Sequence, residues 1–369
     1  MIDTGGHGYD PFRKGKFPVG VQTIEARDAG RERLFPCEIW YPAASEHAGQ
    51  DLDPEKQDVF SVPPGDKSRR QTAVRGAAAE QGAFPLLIFS HHSGGSRRSA
   101  TFLCTHLASH GYVVAAIDHS EVVTPELGRQ ESESAEERAS RVGGWISSRV
   151  PDVTFILDYL LNGAGGQIRA GIDPLRVGIV GHSFGGWTAL AAPDVEPRIL
   201  AVVALAPGGA SRPKPGILQV KLAFDWGREI PALFLVADSD ASLPLEGMLE
   251  IFERAPGTKQ MVILQQADHM HFMDNVEEMH ELVRTMPASP EFALIQREMM
   301  PVSELCSGAD AHLFVRGLTL CHFDAILKQV EDARRFLAGD IEGELKRRGV
   351  DVRLPDLGAV VGPTSKSAI

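Results

Sequence analysis

The stretch Arg176–Trp187, RVGIVGHSFGGW, decides the reading of this chain. RVGIV is a short apolar run, the pattern of a strand buried on both faces. It passes directly into Gly181-His182-Ser183-Phe184-Gly185-Gly186, and a helix is predicted from Trp187. A strand that turns so sharply into a helix holds the residue at its apex, here Ser183, in a strained conformation with Oγ exposed. Glycines two residues before and two after are required because a Cβ at either place would clash with the tight turn. An incidental turn would not need both a strand before it and a helix after it. Ser183 is therefore the candidate nucleophile.

Working outward, other short apolar runs bounded by turn residues repeat the strand pattern. They are Phe84–Ser90 (FPLLIFS), Tyr112–Ile117 (YVVAAI), Ile199–Ala206 (ILAVVALA), Ala232–Ala237 (ALFLVA) and Met261–Leu264 (MVIL). Two earlier strands, Val19–Ile24 and Leu34–Tyr41, flank a charged turn at Arg27–Arg33. Helices are expected at Thr101–His110, at Pro151–Leu161 with proline at its start, and in a long terminal segment that begins between Phe314 and Leu318 and ends near Leu337. Strands alternating with helices imply βα units and a mostly parallel sheet, fold class α/β. Three stretches resist this pattern. Residues 43–83 read as a loop or poorly ordered insertion; 121–150, with its ESESAEER run, as an excursion over the strand ends that could serve as a lid; 275–312 as a further insertion. One domain over 1–349 and a flexible tail over 350–369 complete the organisation.

Two later strand ends supply the partners a nucleophilic serine needs. ALFLVA is followed by Asp238-Ser239-Asp240-Ala241-Ser242-Leu243-Pro244, so Asp238 and Asp240 compete as the acid that orients a histidine. The ordinary fate of a strand-end aspartate is to cap its own loop. MVILQQA is followed by Asp268-His269-Met270-His271-Phe272. His269 is the preferred general base and His271 the runner-up. The chain order serine, acid, histidine leaves room for a strand and a helix between successive members. Charge on the carbonyl oxygen of a tetrahedral intermediate also requires donors. The backbone N–H of Phe184 is one candidate. The N–H of Ser93, in Ser90-His91-His92-Ser93-Gly94-Gly95, is the other, because Gly94 and Gly95 let the backbone approach a substrate.

GHSFGG, FSHHSGG, the early WYPA and HGYVVAAIDH together resemble the platelet-activating-factor acetylhydrolase-like and dienelactone-hydrolase-like branch of the α/β hydrolases. The resemblance runs over about residues 18 to 340. It implies the α/β-hydrolase fold and hydrolysis of short acyl esters without a cofactor. The family's spacing puts the acid four residues before the proline, which selects Asp240. Two departures stand out. The family's FSHG has its glycine replaced by His92, and the dienelactone-type cysteine nucleophile is replaced by Ser183, which places the chain on the esterase side of the branch.

Other histidines read more plainly. His182 is expected to pack beside the nucleophile, and Asp118-His119 to support the loop more than to line the pocket. His92 belongs to the same surroundings. Neither the His91-His92 pair nor His269-x-His271 has the spacing usual for zinc, so no metal is expected. Trp187 reads as core.

The net charge of -12 argues against a nucleic-acid backbone or an anionic membrane as partner. The composition, 43% hydrophobic and 23% charged, is that of a soluble globular enzyme. No apolar run approaches the roughly 20 residues needed to span a bilayer. No secretory h-region is visible and the four cysteines are dispersed, so a cytoplasmic protein with reduced thiols is expected. The expected partner is a small-molecule ester, and a homo-oligomer is compatible with the sequence. Activity should fall as His269 protonates, around pH 6 to 7 from its ordinary value of about 6.5. Lipid degradation is the expected setting. Two alternatives stay open: the same chemistry on amide, thioester or polyester bonds, or a non-catalytic binding protein on a hydrolase scaffold.

Overall fold

The expected strands assemble, in a computed structural model of the chain, into a single ten-stranded sheet of order β12-β11-β10-β9-β8-β6-β7-β2-β1-β5. The structure describes residues 8–61, 67–120, 133–162 and 171–356. The centre of the sheet is β7 (Val113–Ile117), β6 (Phe84–Ser90), β8 (Ile172–His182), β9 (Ile199–Leu205), β10 (Ala232–Ala237) and β11 (Lys259–Leu264), all parallel. Their apolar runs have no exposed face: β7 and β10 are buried at every residue. Helices must therefore cover both sides, as parallel sheets require. Beside β7 lie the antiparallel pair β2 (Arg33–Pro42) and β1 (Val19–Asp28). This is the α/β-hydrolase architecture.

Four expectations are corrected. The 43–83 stretch is built, not loose. It carries the hairpin β3 (Asp58–Ser61) and β4 (Ser68–Gln71), and β5 (Val74–Arg75) pairs parallel with β1. Polar contacts hold it: Trp40 Nε1 donates to Gln71 Oε1 at 2.6 Å, and Arg75 Nη2 donates to Asp58 at 2.8 Å. Order based on polar pairing leaves no hydrophobic period to read.

The helix expected to start at Pro151 instead runs Ala135–Asn162 with Pro151 inside it. The buried positions Trp145, Arg149, Asp152, Val153, Ile156, Leu157 and Leu160 recur every three or four residues across the proline. That burial offsets the ~3 kcal/mol or more that an interior proline costs a helix. Two charged members, Arg149 and Asp152, interrupt the stripe as an apolar pattern. Residues 133–150 of the supposed excursion are thus mostly helix, and residues 121–132 lie outside the described residues.

The terminal helix is two: Gly308–Ile326 and Glu331–Leu337, broken where Gln329 adopts φ 56°. The tail is also partly structured. β12 (Val352–Arg353) pairs antiparallel with β11, while 357–369 lie outside the described residues. The 275–312 insertion carries the helices Val276–Thr285 and Pro290–Glu298. The four cysteines are unpaired, and no described helix is long and apolar enough to cross a membrane.

Candidate active site

The turn at Ser183 has the strain that its glycines predict. Ser183 sits at φ 60°, ψ -116°, a region non-glycine residues rarely occupy. Backbone bonds hold it there: Ser183 N–H donates to the Leu205 carbonyl at 2.9 Å, and its own carbonyl accepts from Trp187 and Gly208 at 3.0 and 3.1 Å. A Cβ on Gly181 would lie 2.0 Å from the Gly185 carbonyl oxygen. One on Gly185 would lie 1.9 Å from the Ser90 carbonyl oxygen. The glycines are thus required for the elbow to pack against β6, and the following helix, Phe184–Ala191, is buried throughout.

Two neighbouring strand ends bring the partners. The loops after β10 and β11 are stitched together, with Asp238 N–H on the Leu264 carbonyl and Ser239 N–H on the Ala267 carbonyl, each at 3.0 Å. His269 opens a short 3₁₀ turn, His269–Phe272, which the Asp268 carboxylate caps. His269 Nε2 lies 2.8 Å from Ser183 Oγ, and His269 Nδ1 lies 2.7 Å from Asp240 Oδ2. Asp240 Oδ1 accepts from the N–H groups of Ser242 and Leu243 at 2.9 and 2.7 Å. Asp240 therefore holds its loop with one oxygen and faces the imidazole with the other.

Asp238 does the bland job, accepting from Ser239 Oγ and from Ala267 N–H. His271 is turned away, with its Nε2 on the Cys306 carbonyl at 3.1 Å.

Three histidine rings lie in a row at the elbow and are shifted in opposite directions. The His182 ring is 4.8 Å from that of His269 and 5.4 Å from that of His92. Burial keeps His182 well below the ordinary histidine range and pushes His92 down to about 3. Burial opposes charge on His269 as well, but the Asp240 carboxylate, by its field and its hydrogen bond, raises its pKa above the ordinary value. Only His269 is thus tuned to take a proton. Asp268 is raised by burial and then by the negative charge of Asp240 beside it.

His119 is buried behind β6. Its Nδ1 is 2.9 Å from Asp152 Oδ2, its Nε2 3.1 Å from Ser90 Oγ. It supports the loop base from inside.

Three residues had no signal in the sequence reading. Asp274 caps the helix Thr101–Ser109 from far along the chain, accepting from Thr101 N–H and Oγ1 at 2.7 Å each and from Phe102 N–H at 3.1 Å. Glu38, wholly buried, gathers Arg75, Arg97 and Arg98 under the loop after β6. Arg149, also wholly buried, donates to Ser90 Oγ and to the His91 and His92 carbonyls. A charge whose partners lie tens of residues or more away leaves no local pattern. Among the described residues no cluster of histidine, cysteine or carboxylate side chains is arranged to hold a metal ion.

A strained serine between a parallel sheet and its helix, linked to a histidine and a carboxylate on later strand ends, is the arrangement of the serine α/β hydrolases. Known proteins agree with that class. The family model for platelet-activating factor acetylhydrolase, isoform II, matches residues 67–149. A cutinase (est1) of Thermobifida alba is 25% identical over 198 residues, 53% of this chain and 56% of that one. The platelet-activating factor acetylhydrolase of Cavia porcellus is 30% identical over 155 residues, 34% of this chain and 35% of that one. The chain thus spans little more than half of the cutinase and about a third of the acetylhydrolase. A ferulic acid esterase from Streptomyces cinnamoneus superposes with TM-score 0.63 at 24% identity, covering 92% of this chain and 96% of that one. The chain has the α/β-hydrolase fold.

Proposed function

We propose that this protein is a serine carboxylic-ester hydrolase acting on short acyl esters, with Ser183 as nucleophile, His269 as base and Asp240 as the acid that orients it. One observation carries the reading. The bonds Asp240–His269 and His269–Ser183, at 2.7 and 2.8 Å, form one unbroken chain that ends on a strained serine hydroxyl.

The chemistry follows. Asp240 accepts from His269 Nδ1–H, which leaves Nε2 free to take the Ser183 proton as Oγ attacks the ester carbonyl. The backbone N–H groups of Phe184 and Ser93 receive the oxyanion. His269 then gives its proton to the leaving alcohol, and the acyl group stays on Ser183. Water repeats the sequence, with His269 as base, and releases the acid. No cofactor enters.

Hydrolysis of p-nitrophenyl acetate, butyrate and octanoate by wild type and Ser183→Ala tests this. Turnover should vanish in the variant, and a fluorophosphonate should label wild type alone. A folded wild type that neither turns over an ester nor takes the label overturns the proposal in favour of a binding protein on this scaffold. The cutinase relatives favour, as a second reading, the same chemistry on an ester within a polymer; release of acid from an insoluble polyester film tests it.

A further inference from the structure

We propose that Arg149 is a positioning residue of the oxyanion hole, holding both backbone donors in place from behind. This rests on the esterase reading above. Arg149 is a cation with no exposed surface, carried by the helix Ala135–Asn162. Its Nη1 donates to Ser90 Oγ at 3.0 Å and to the His91 carbonyl at 2.7 Å; its Nη2 donates to the His92 carbonyl at 3.4 Å. Burying an arginine is costly unless the guanidinium's donors are used, and these Nη1 and Nη2 contacts fall on one three-residue segment.

The His92 carbonyl and the Ser93 N–H are opposite ends of one planar trans peptide, so fixing the first aims the second. That carbonyl has two further donors. Gly95 N–H reaches it at 3.0 Å, and His91 Nδ1 at 2.7 Å. His91 Nε2 accepts from His119 N–H at 3.1 Å, so the proton of the neutral His91 ring sits on Nδ1, where it donates to His92. Three donors on one carbonyl oxygen draw electron density through the amide and strengthen its N–H as a donor.

The second oxyanion donor is reached through a ring. The Arg149 guanidinium carbon lies 4.2 Å from the centroid of the Phe184 ring, an attractive contact for a cation. Phe184 is the residue whose N–H faces the oxyanion from the elbow. One side chain therefore braces the Ser93 peptide and the Phe184 residue together. Lysine cannot reproduce this, because the contacts need a planar fork and a flat face at once.

The test compares an oxo ester with its thiono analogue, p-nitrophenyl acetate against O-(4-nitrophenyl) thionoacetate, in wild type, Arg149→Met and Arg149→Lys. Sulfur accepts hydrogen bonds poorly, so the thiono ester draws little from an oxyanion hole. Arg149→Met should lower kcat on the oxo ester by about 10- to 100-fold, short of the roughly 10²–10³ lost with an outright donor. KM should hold, and the thiono rate should change less than about threefold. Arg149→Lys keeps a buried cation, should show the same selective loss, and serves if the methionine variant does not fold. Parallel losses on both substrates, or no loss on either, overturn the positioning role. A wild type inactive on both esters instead overturns the esterase reading, and the inference with it.

Discussion

Asp240→Asn should disable the site without disturbing it. In the native loop, Asp240 Oδ1 accepts from the Ser242 and Leu243 N–H groups, and Oδ2 faces His269 Nδ1 at 2.7 Å. An asparagine keeps its carbonyl oxygen on the two backbone donors and presents its NH₂ to the imidazole. His269 Nδ1 must then accept, so the ring proton moves to Nε2. That nitrogen, 2.8 Å from Ser183 Oγ, can no longer take the serine proton. A wrong tautomer in such an arrangement costs about 10⁴ in kcat, or about 5 kcal/mol at 1.36 kcal/mol per tenfold. The melting temperature should hardly change, because the bonds that shape the loop survive. The assay is kcat/KM on p-nitrophenyl butyrate, with Asp238→Asn beside it. The latter should stay within about threefold of wild type, since Asp238 only secures Ser239 and Ala267. A folded Asp240→Asn within tenfold of wild type would refute the tautomer argument and move the acid's role to another residue.

Four other outcomes follow from the same structure. Because Asp240 raises the His269 pKa and only the neutral ring can act as base, the acid limb of kcat/KM should have its midpoint above the ordinary histidine value of about 6.5. It should fall tenfold per pH unit below that, and a midpoint at or under 6.5 counts against the assignment. Glu38→Ala breaks a buried anion from Arg75, Arg97 and Arg98, whose side chains are 40%, 20% and 15% exposed. Those paths to water put the loss at about 3 kcal/mol, the low end for a broken buried pair, and a urea-unfolding loss under 1 kcal/mol would contradict it. Gly185→Ala should abolish folding or activity, because its Cβ meets the Ser90 carbonyl oxygen. Gly143→Ala, with open space around a helical position, should instead stabilise by up to about 1 kcal/mol in a thermal melt.

The sequence by itself determined the central sheet and the local shape of the site. β6, β7, β9 and β10 are continuous apolar runs, buried except at Phe84 and Leu200, and they end within a residue or so of where the pattern stops. The elbow was legible because its demand is local: Gly181 and Gly185 must lack a Cβ for Ser183 to turn. The candidates Asp240 and His269 were legible because this topology places strand ends side by side, so residues just past them meet. Tertiary structure alone decided the rest. Asp238 and Asp240 are two residues apart in one loop; apart from the family resemblance nothing in the sequence separates them, and in the packed loop Asp240 faces the ring. The helix through Pro151 has a buried stripe with two charged members, and the order of 43–83 rests on ion pairs, so neither shows as a plain apolar period in the sequence. Arg149, Glu38 and Asp274 read locally as surface charges. Arg149 and Glu38 are wholly buried and Asp274 half-buried because their partners lie tens to hundreds of residues away, and the cost of desolvating a charge is met only once those partners have been folded against it.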